Sequence, residues 1–300
     1  MATRPTDRKS SSPQPRRGRR TPRLADRVDR HDLYLRAVQS PEHEVQFFLD
    51  RYREAFDASP RVLREDFCGT FAVCCAWVRR VRDGRAIGVD LDGQTLDWGR
   101  EHLLASCSPG QRERVKLLQR DVRSVTRPAA DIVAAENFSF WVLRTRAELI
   151  EYFRAAHRSL ARRGLFVLDM MGGVDSMRDG RTDTRPINEP VLVKGNPRRF
   201  DYRWEQVAFD PVSHECRYAI HFRFRDGSVM RRAFEYHWRY WTLPEVRDAL
   251  LEAGFASADV FWDVSASGDD GEYERRDSAP NDPAWVCYIV ATKGRPRSGA

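Results

Sequence analysis

The chain has 300 residues, enough for one large domain with additions and a full hydrophobic core. At 41% hydrophobic and 32% charged it has the composition of a soluble protein. No run approaches the ~18–20 apolar residues of a membrane span, and the N-terminus lacks the apolar core of a signal peptide, so a cytoplasmic protein off the membrane is expected. The net charge of +7 resides in residues 1–30, which hold ten Lys/Arg and three Asp/Glu. The remainder is neutral and carries no electrostatic footprint for a polyanion, so contact with nucleic acid is expected only through this tail.

Residues 1–30 are rich in Ser, Pro and Arg and are expected to be disordered, chiefly as a solubilising leader. "SPEHEVQFFLDRYREAF" then reads as a helix, with Ser40 at its cap, Pro41 in the first turn and Val45, Phe48 and Leu49 on one face. Strands and helices alternate from there. "RVLRE", "RAIGVD", "VKLLQRD", "DIVAAEN" and "LFVLDMM" read as short apolar strands. Helices bridge them, one running from "RAELIEYF" through "LARR" to a stop at Gly164. Short apolar strands joined by helices predict a doubly wound α/β sheet with parallel pairing.

Near residue 190 the rhythm changes to period 2. "RRFDYRWEQVAF", "CRYAIHFRFR" and "VMRRAFEYHWRYW" predict an antiparallel β-meander over residues 190–241, inserted after a core of residues 31–189. Residues 242–300 supply a helix with a capping box from Thr242 to Glu245 and two closing strands, "SADVFWDV" and "AWVCYIVATK". A polar loop of about residues 265–283 joins those two strands.

The six cysteines form no C-x-x-C pair, and no His stands at zinc-like spacing from them. They read as reduced, buried thiols, and no metal is expected. Cys68 follows Glu65 and Asp66, an acidic setting unsuited to a nucleophilic thiolate. Nothing in the sequence fixes an oligomeric state.

Ligands of doubly wound sheets lie beyond the carboxyl ends of the strands. At the first strand-to-helix turn, "EDFCGTF", Gly69 leaves room for a ligand against the backbone. Asp90 ends the next strand 21 residues later, close to the ~20 at which a carboxylate accepts ribose hydroxyls. Asp121 and Val122 follow the third strand.

These residues resemble those of the class I S-adenosylmethionine-dependent methyltransferases, over about residues 40–293. Such enzymes often carry D-x-G-C-G-T-G after the first strand. Here Glu65 matches the acidic position and Cys68, Gly69 and Thr70 the C-G-T centre, while Phe67 and Phe71 replace the outer glycines. "REDFCGT", "NFSFW" and "YRWEQ" also resemble an uncharacterised bacterial subfamily. The resemblance implies a Rossmann-like seven-stranded sheet whose last strand is antiparallel, with the meander as a substrate lid. It implies S-adenosylmethionine as cofactor, with ribose at Asp90 and Leu91, adenine at Asp121 and Val122, and the methionine part at Glu136 and Asn137. Tyr34 falls in a segment that often folds over the cofactor, and Arg64 pairs either with the cofactor carboxylate or with Asp66. A dinucleotide oxidoreductase is the weaker reading, because the acidic "ED" disfavours a pyrophosphate and suits a cationic sulfonium.

The expected reaction is methyl transfer to a small-molecule acceptor at N or O. The alternatives are methylation of RNA or protein recruited by the basic tail, and cofactor binding without catalysis. "ENFSFW" partly resembles the N-P-P-[YF] motif of amino-group methyltransferases, with Asn137 facing the amine and Phe140 stacking on it; alternatively Asn137 caps a helix and Phe140 enters the core. In the meander, Arg203, Glu205, His221, Glu235, His237 and Arg239 share one register. They form either a solvated face or a lid surface on which His221 or His237 is the base and Glu205 orients a cationic substrate.

Overall fold

The structure, a computed structural model, describes residues 22–265 and 271–294. Helices α1 (Arg30–Val38) and α2 (Pro41–Phe56) precede the alternating units. These comprise β1 (Val62–Asp66), α3 (Ala72–Arg80), β2 (Arg85–Asp90), α4 (Gly93–His102), the single turn α5 (Pro109–Arg112), β3 (Val115–Gln119), β4 (Ala130–Ala135), α6 (Arg146–Ser159) and β5 (Leu160–Gly172). Four long strands follow, β6 (Thr182–Val193), β7 (Asn196–Phe209), β8 (Glu215–Phe224) and β9 (Val229–Arg239). Helix α7 (Leu243–Glu252), β10 (Ser257–Asp263), β11 (Tyr273–Arg275) and β12 (Trp285–Thr292) complete the chain.

The main sheet runs β11-β10-β12-β5-β4-β1-β2-β3. Strands β1 to β5 pair in parallel, and β12 lies antiparallel between β5 and β10. The strand order reverses between β1 and β4, which opens a crevice at their carboxyl ends. Two apolar layers cover the sheet. Phe140, Tyr152, Phe153, Phe166 and Leu250 fill one side, and Phe48, Phe71, Val73 and Trp77 the other. Among the described residues no helix is long and apolar enough to cross a membrane.

The expected doubly wound sheet with an antiparallel last strand is present, with one strand more than seven. The extra strand, β11, lies in the polar loop and pairs with β10, forming the edge of the sheet. Tyr273 anchors it, its ring 4.7 Å from that of Tyr288 and 5.6 Å from that of Phe47. The helix expected to reach Arg163 stops at Ser159, and Leu160 is already extended. The ladder to β4 is irregular between Ala130 and Ile132, so Gly164 lies in the strand rather than at a helix end.

The second sheet, β6-β7-β8-β9, is antiparallel throughout and begins at Thr182, ahead of residue 190. Pro186 and Pro190 hide the alternation in the sequence. They are tolerated because β6 is an edge strand, where a missing N–H costs little. Residues 22–29 are also structured, contrary to the disorder expected up to residue 30. Leu24, Ala25 and Val28 pack on the second sheet, the Leu24 amide donates to Asp226, and the Ala25 amide donates to Ser228 Oγ. The rest of the expected tail, residues 1–21, lies outside the described residues. Asp29 caps α1 by accepting from the His31 amide, and Leu33 and Ala37 of α1 are buried beside Ile220 and Phe222.

Candidate active site

The "EDFCGTF" turn keeps a glycine-loop backbone without most of its glycines. Phe67, Gly69 and Phe71 have φ of 52°, 50° and 51°, all left-handed. A non-glycine residue there costs about 1–2 kcal/mol, and packing offsets that cost. Phe71 is fully buried on the α2/α3 side of the sheet. Phe67 packs on the opposite side, edge-on to Tyr152 at 5.5 Å. Phe71 lies in the core and Phe67, partly buried, packs against the core, and the space at Gly69 is open: an added Cβ would meet only Thr95 Cγ2, at 3.8 Å. The Gly69 amide donates to Asp90 Oδ2 at 2.7 Å, and the Asp92 amide donates to Oδ1. Leu91 beside it is 67% exposed. Asp121 is chelated by Arg123 through Nε at 2.9 Å and Nη2 at 2.6 Å, which holds its carboxyl below the usual range. Val122 and Thr70 are both buried.

Four carboxyl groups cluster around the ends of β1, β4 and β5. They are Glu65, Glu136, Asp169 and, from α2, Glu44. All are buried, and burial is the main cause that raises their pKa values, to about 7 for Glu65, about 7 for Asp169 and about 8 for Glu44, with Glu136 also raised. Glu65 accepts from the Cys74 amide at 2.8 Å, satisfying an orphan donor at the start of α3. Asp169 accepts from the Asn137 and Phe138 amides, both at 2.8 Å. Those two residues are left-handed, with φ of 59° and 56°, so Asp169 holds the turn after β4. Glu44 Oε2 and Glu136 Oε1 are buried without a hydrogen-bond partner. A cluster of this kind suits a cation far better than an anion.

Next to this cluster a cavity of about 290 Å³ opens between the main sheet and the second sheet. Tyr34, Phe138, Tyr202, Trp204, Tyr236 and Trp238 line it, with Asn137 at its margin. The Tyr236 and Trp238 rings are 4.3 Å apart, and Trp204 is 6.0 Å from Tyr236. Tyr34 stacks obliquely on Phe234 at 4.8 Å, and burial keeps its hydroxyl protonated. The lining cation, Arg185, lies 5.0 Å over the Tyr202 ring and donates to the Ala37 carbonyl.

The structure thus brings together Tyr34, Asn137 and the inner aromatics of the second sheet, and leaves several expected residues elsewhere. Arg64 is fully buried beneath the site. It pairs with Asp66 at 2.6 Å and donates to the Val122 and Ser124 carbonyls and to Ser159 Oγ, so its guanidinium has no reach to a cofactor carboxylate. His221, Glu205 and His237 occupy the odd register of the second sheet, on the face away from the cavity. His221 Nε2 meets Glu205 at 2.7 Å while its Nδ1 accepts from the Arg232 amide. His237, half-exposed, pairs with Glu215 at 3.0 Å. None of the three is placed as a base. Phe140 is fully buried, so the aromatic at the cavity is Phe138. Cys68 is buried, and burial raises its thiol pKa well above the usual value. Sequence reasoning missed Glu44, Asp169 and Phe138. The signal for Asp169 was there, a lone carboxylate inside the apolar strand "LFVLDMM".

No family model matches the chain, and no curated protein matches it. Solved structures do. CalS10, an amino pentose methyltransferase from Micromonospora echinaspora solved with S-adenosylmethionine bound, superposes with a TM-score of 0.62 at 19% identity, over 88% of this chain and 95% of its own. Streptomyces venezuelae DesVI gives 0.63 at 17% identity, over 88% and 98%. The sugar N-methyltransferase KedS8 from Streptoalloteichus gives 0.60 at 18% identity, over 98% and 99%. The fold is therefore that of the S-adenosylmethionine-dependent methyltransferases.

Proposed function

We propose that the protein is an S-adenosylmethionine-dependent methyltransferase acting on a small-molecule acceptor, at nitrogen or oxygen. The observation that carries this reading is the junction of two sites. The buried carboxyls that lie beside an open glycine turn adjoin an aromatic cavity at Asn137 and Phe138, whose amides donate to Asp169.

The residues present fit the cofactor. Gly69 leaves the backbone open, and in this reading Asp90 and Leu91 would hold the ribose and Asp121 and Val122 the adenine. Glu65, Glu136, Asp169 and Glu44 would offset the positive sulfonium and α-amino group, and the two unpartnered oxygens are available to them. The same cluster would repel a pyrophosphate, which argues against a dinucleotide. When bound, S-adenosylmethionine supplies a methyl group on a good leaving group. The chain's part is to align the acceptor and exclude water. Trp204, Tyr236 and Trp238 form an aromatic wall for this, and Tyr34 and Phe138 also line the cavity. No histidine lines the cavity, so positioning carries more of the work than a base. The small acceptor is supported by the cavity size and by the substrates named for CalS10 and KedS8.

The test is mass spectrometry of a panel of small amines, amino sugars and alcohols incubated with protein and methyl-labelled donor. A single-methyl product from one class supports the reading. Removal of residues 1–21 should leave that turnover intact; turnover on RNA or protein alone, lost with those residues, would favour the polymer alternative.

A further inference from the structure

We propose that the acceptor site has a second half, a polar cavity beyond Trp204 that recognises a hydroxyl-rich, phosphate-free part of the acceptor; this rests on the small-molecule reading above. The second cavity has a volume of about 390 Å³ and shares Met171, Asp183, Trp204 and Val286 with the aromatic one. Asp183 and Trp204 are cross-strand partners on β6 and β7, so one ladder position forms the common wall. A molecule seated on the aromatic rings can therefore extend past them without crossing a strand.

The two halves differ in chemistry. In the second, Trp262 and Trp285 present indoles 4.9 Å apart at 41°. Trp285 lies across the Gly172 backbone, where an added Cβ would stand 2.1 Å from its ring, so the indole is pinned in place. Gln206 faces the same cavity. It is only 6% exposed, yet its Oε1 has no hydrogen-bond partner. A buried acceptor in that state calls for an O–H or N–H donor from a ligand. Asp175, Asp183, Asp263 and Asp282 contribute carboxylates against one cation, Arg181, which is already paired with Asp175 and Asp183. Indole faces accept the C–H face of a sugar ring, and carboxylates and an amide oxygen accept its hydroxyls. The net negative charge disfavours a phosphate or carboxylate at the same place. The ligand class is thus a neutral or ammonium-bearing sugar or similar polyol.

Binding is measured on the full chain without methyl donor, by tryptophan fluorescence and saturation-transfer NMR. The probes are methyl glucosides, methyl xylosides, glucosamine and glucosamine 6-phosphate. At least one neutral or amino sugar is expected to bind saturably. Adding the phosphate should weaken binding about tenfold or more, and Gln206→Leu should weaken it about fivefold or more. Because Gln206 is buried, Asp183→Ala at an exposed carboxylate gives a second variant with the same expected direction. Absence of saturable binding by every phosphate-free probe would overturn the proposal. So would equal affinity for the phosphorylated sugar, or unchanged affinity in both variants. Sugar binding that persists while S-adenosylmethionine fails to bind would instead overturn the methyltransferase reading and leave this one standing.

Discussion

Gly69 and Asp90, 21 residues apart in sequence, are joined by a 2.7 Å hydrogen bond from the glycine amide to the carboxylate. The bond ties the loops after β1 and β2 together and holds the Asp90 carboxylate beside the turn. Asp90→Ala removes the acceptor for two amides, and Gly69→Leu fills the space. A charge-assisted hydrogen bond is worth about 1.5–3 kcal/mol, so the Asp90 variant should bind S-adenosylmethionine roughly ten- to a hundredfold more weakly. Gly69→Leu should lose at least as much. Both should keep a native circular dichroism spectrum, and unchanged affinity in both would remove these residues from the site.

Arg64 and Asp66 form a fully buried pair under the same turn. Arg64→Met leaves the Asp66 charge without its partner, a change that typically costs about 3–5 kcal/mol. Urea unfolding should show a lower midpoint, while the remaining folded protein keeps its cofactor affinity to within a few-fold. A large loss of affinity without loss of stability would mean that Arg64 does reach the ligand.

The buried carboxyls set a pH dependence of known sign. Folded-state values of about 7 for Glu65 and Asp169 and about 8 for Glu44 lie above the usual carboxylate range. The folded state therefore holds more protons than the unfolded one at neutral pH. This contribution to stability is present below the unfolded values, near ~4, and is lost as pH rises through 7 and 8. The melting temperature of the free protein should fall between pH 5.5 and 8.5. A cationic ligand favours the ionised carboxyls, so S-adenosylmethionine should bind more tightly at pH 8 than at pH 6. Thermal scans and titrations at both pH values check the two signs.

His221 and His237 face away from the aromatic cavity. Once the panel supplies an acceptor, His237→Ala should retain kcat/KM to within about twofold. His221→Ala should lose stability through its broken contacts with Glu205 and Arg232, with little change in the rate of the folded fraction. A thousandfold drop in kcat for either variant would restore it as the base.

Much of this was legible in the chain. The alternation of short apolar runs with helices predicts the parallel sheet, because a strand buried on both faces must be apolar throughout. The fixed spacing of Gly69 and Asp90 predicts two adjacent loops. Prolines hid β6, whose position at an edge tolerates them, and the polar setting of Tyr273 hid β11, which one aromatic anchor holds in place. Period 2 divided the meander into two faces, but alternation alone cannot say which face looks inward. The register that carries His221 and His237 faces away from the aromatic cavity, with His221 buried and His237 half-exposed. Glu44 and Asp169 escaped notice because each stands alone in sequence. Only the fold buries them beside Glu65 and Glu136, and that burial is the main cause of their raised pKa values.

Calorimetric titration of the full chain with S-adenosylmethionine, with NAD as the control, tests the central claim most directly. Micromolar binding of S-adenosylmethionine and none of NAD is the predicted result. Failure of S-adenosylmethionine to bind would mean that Phe67 and Phe71 have turned the loop to a purely structural use, and it would contradict the proposed function.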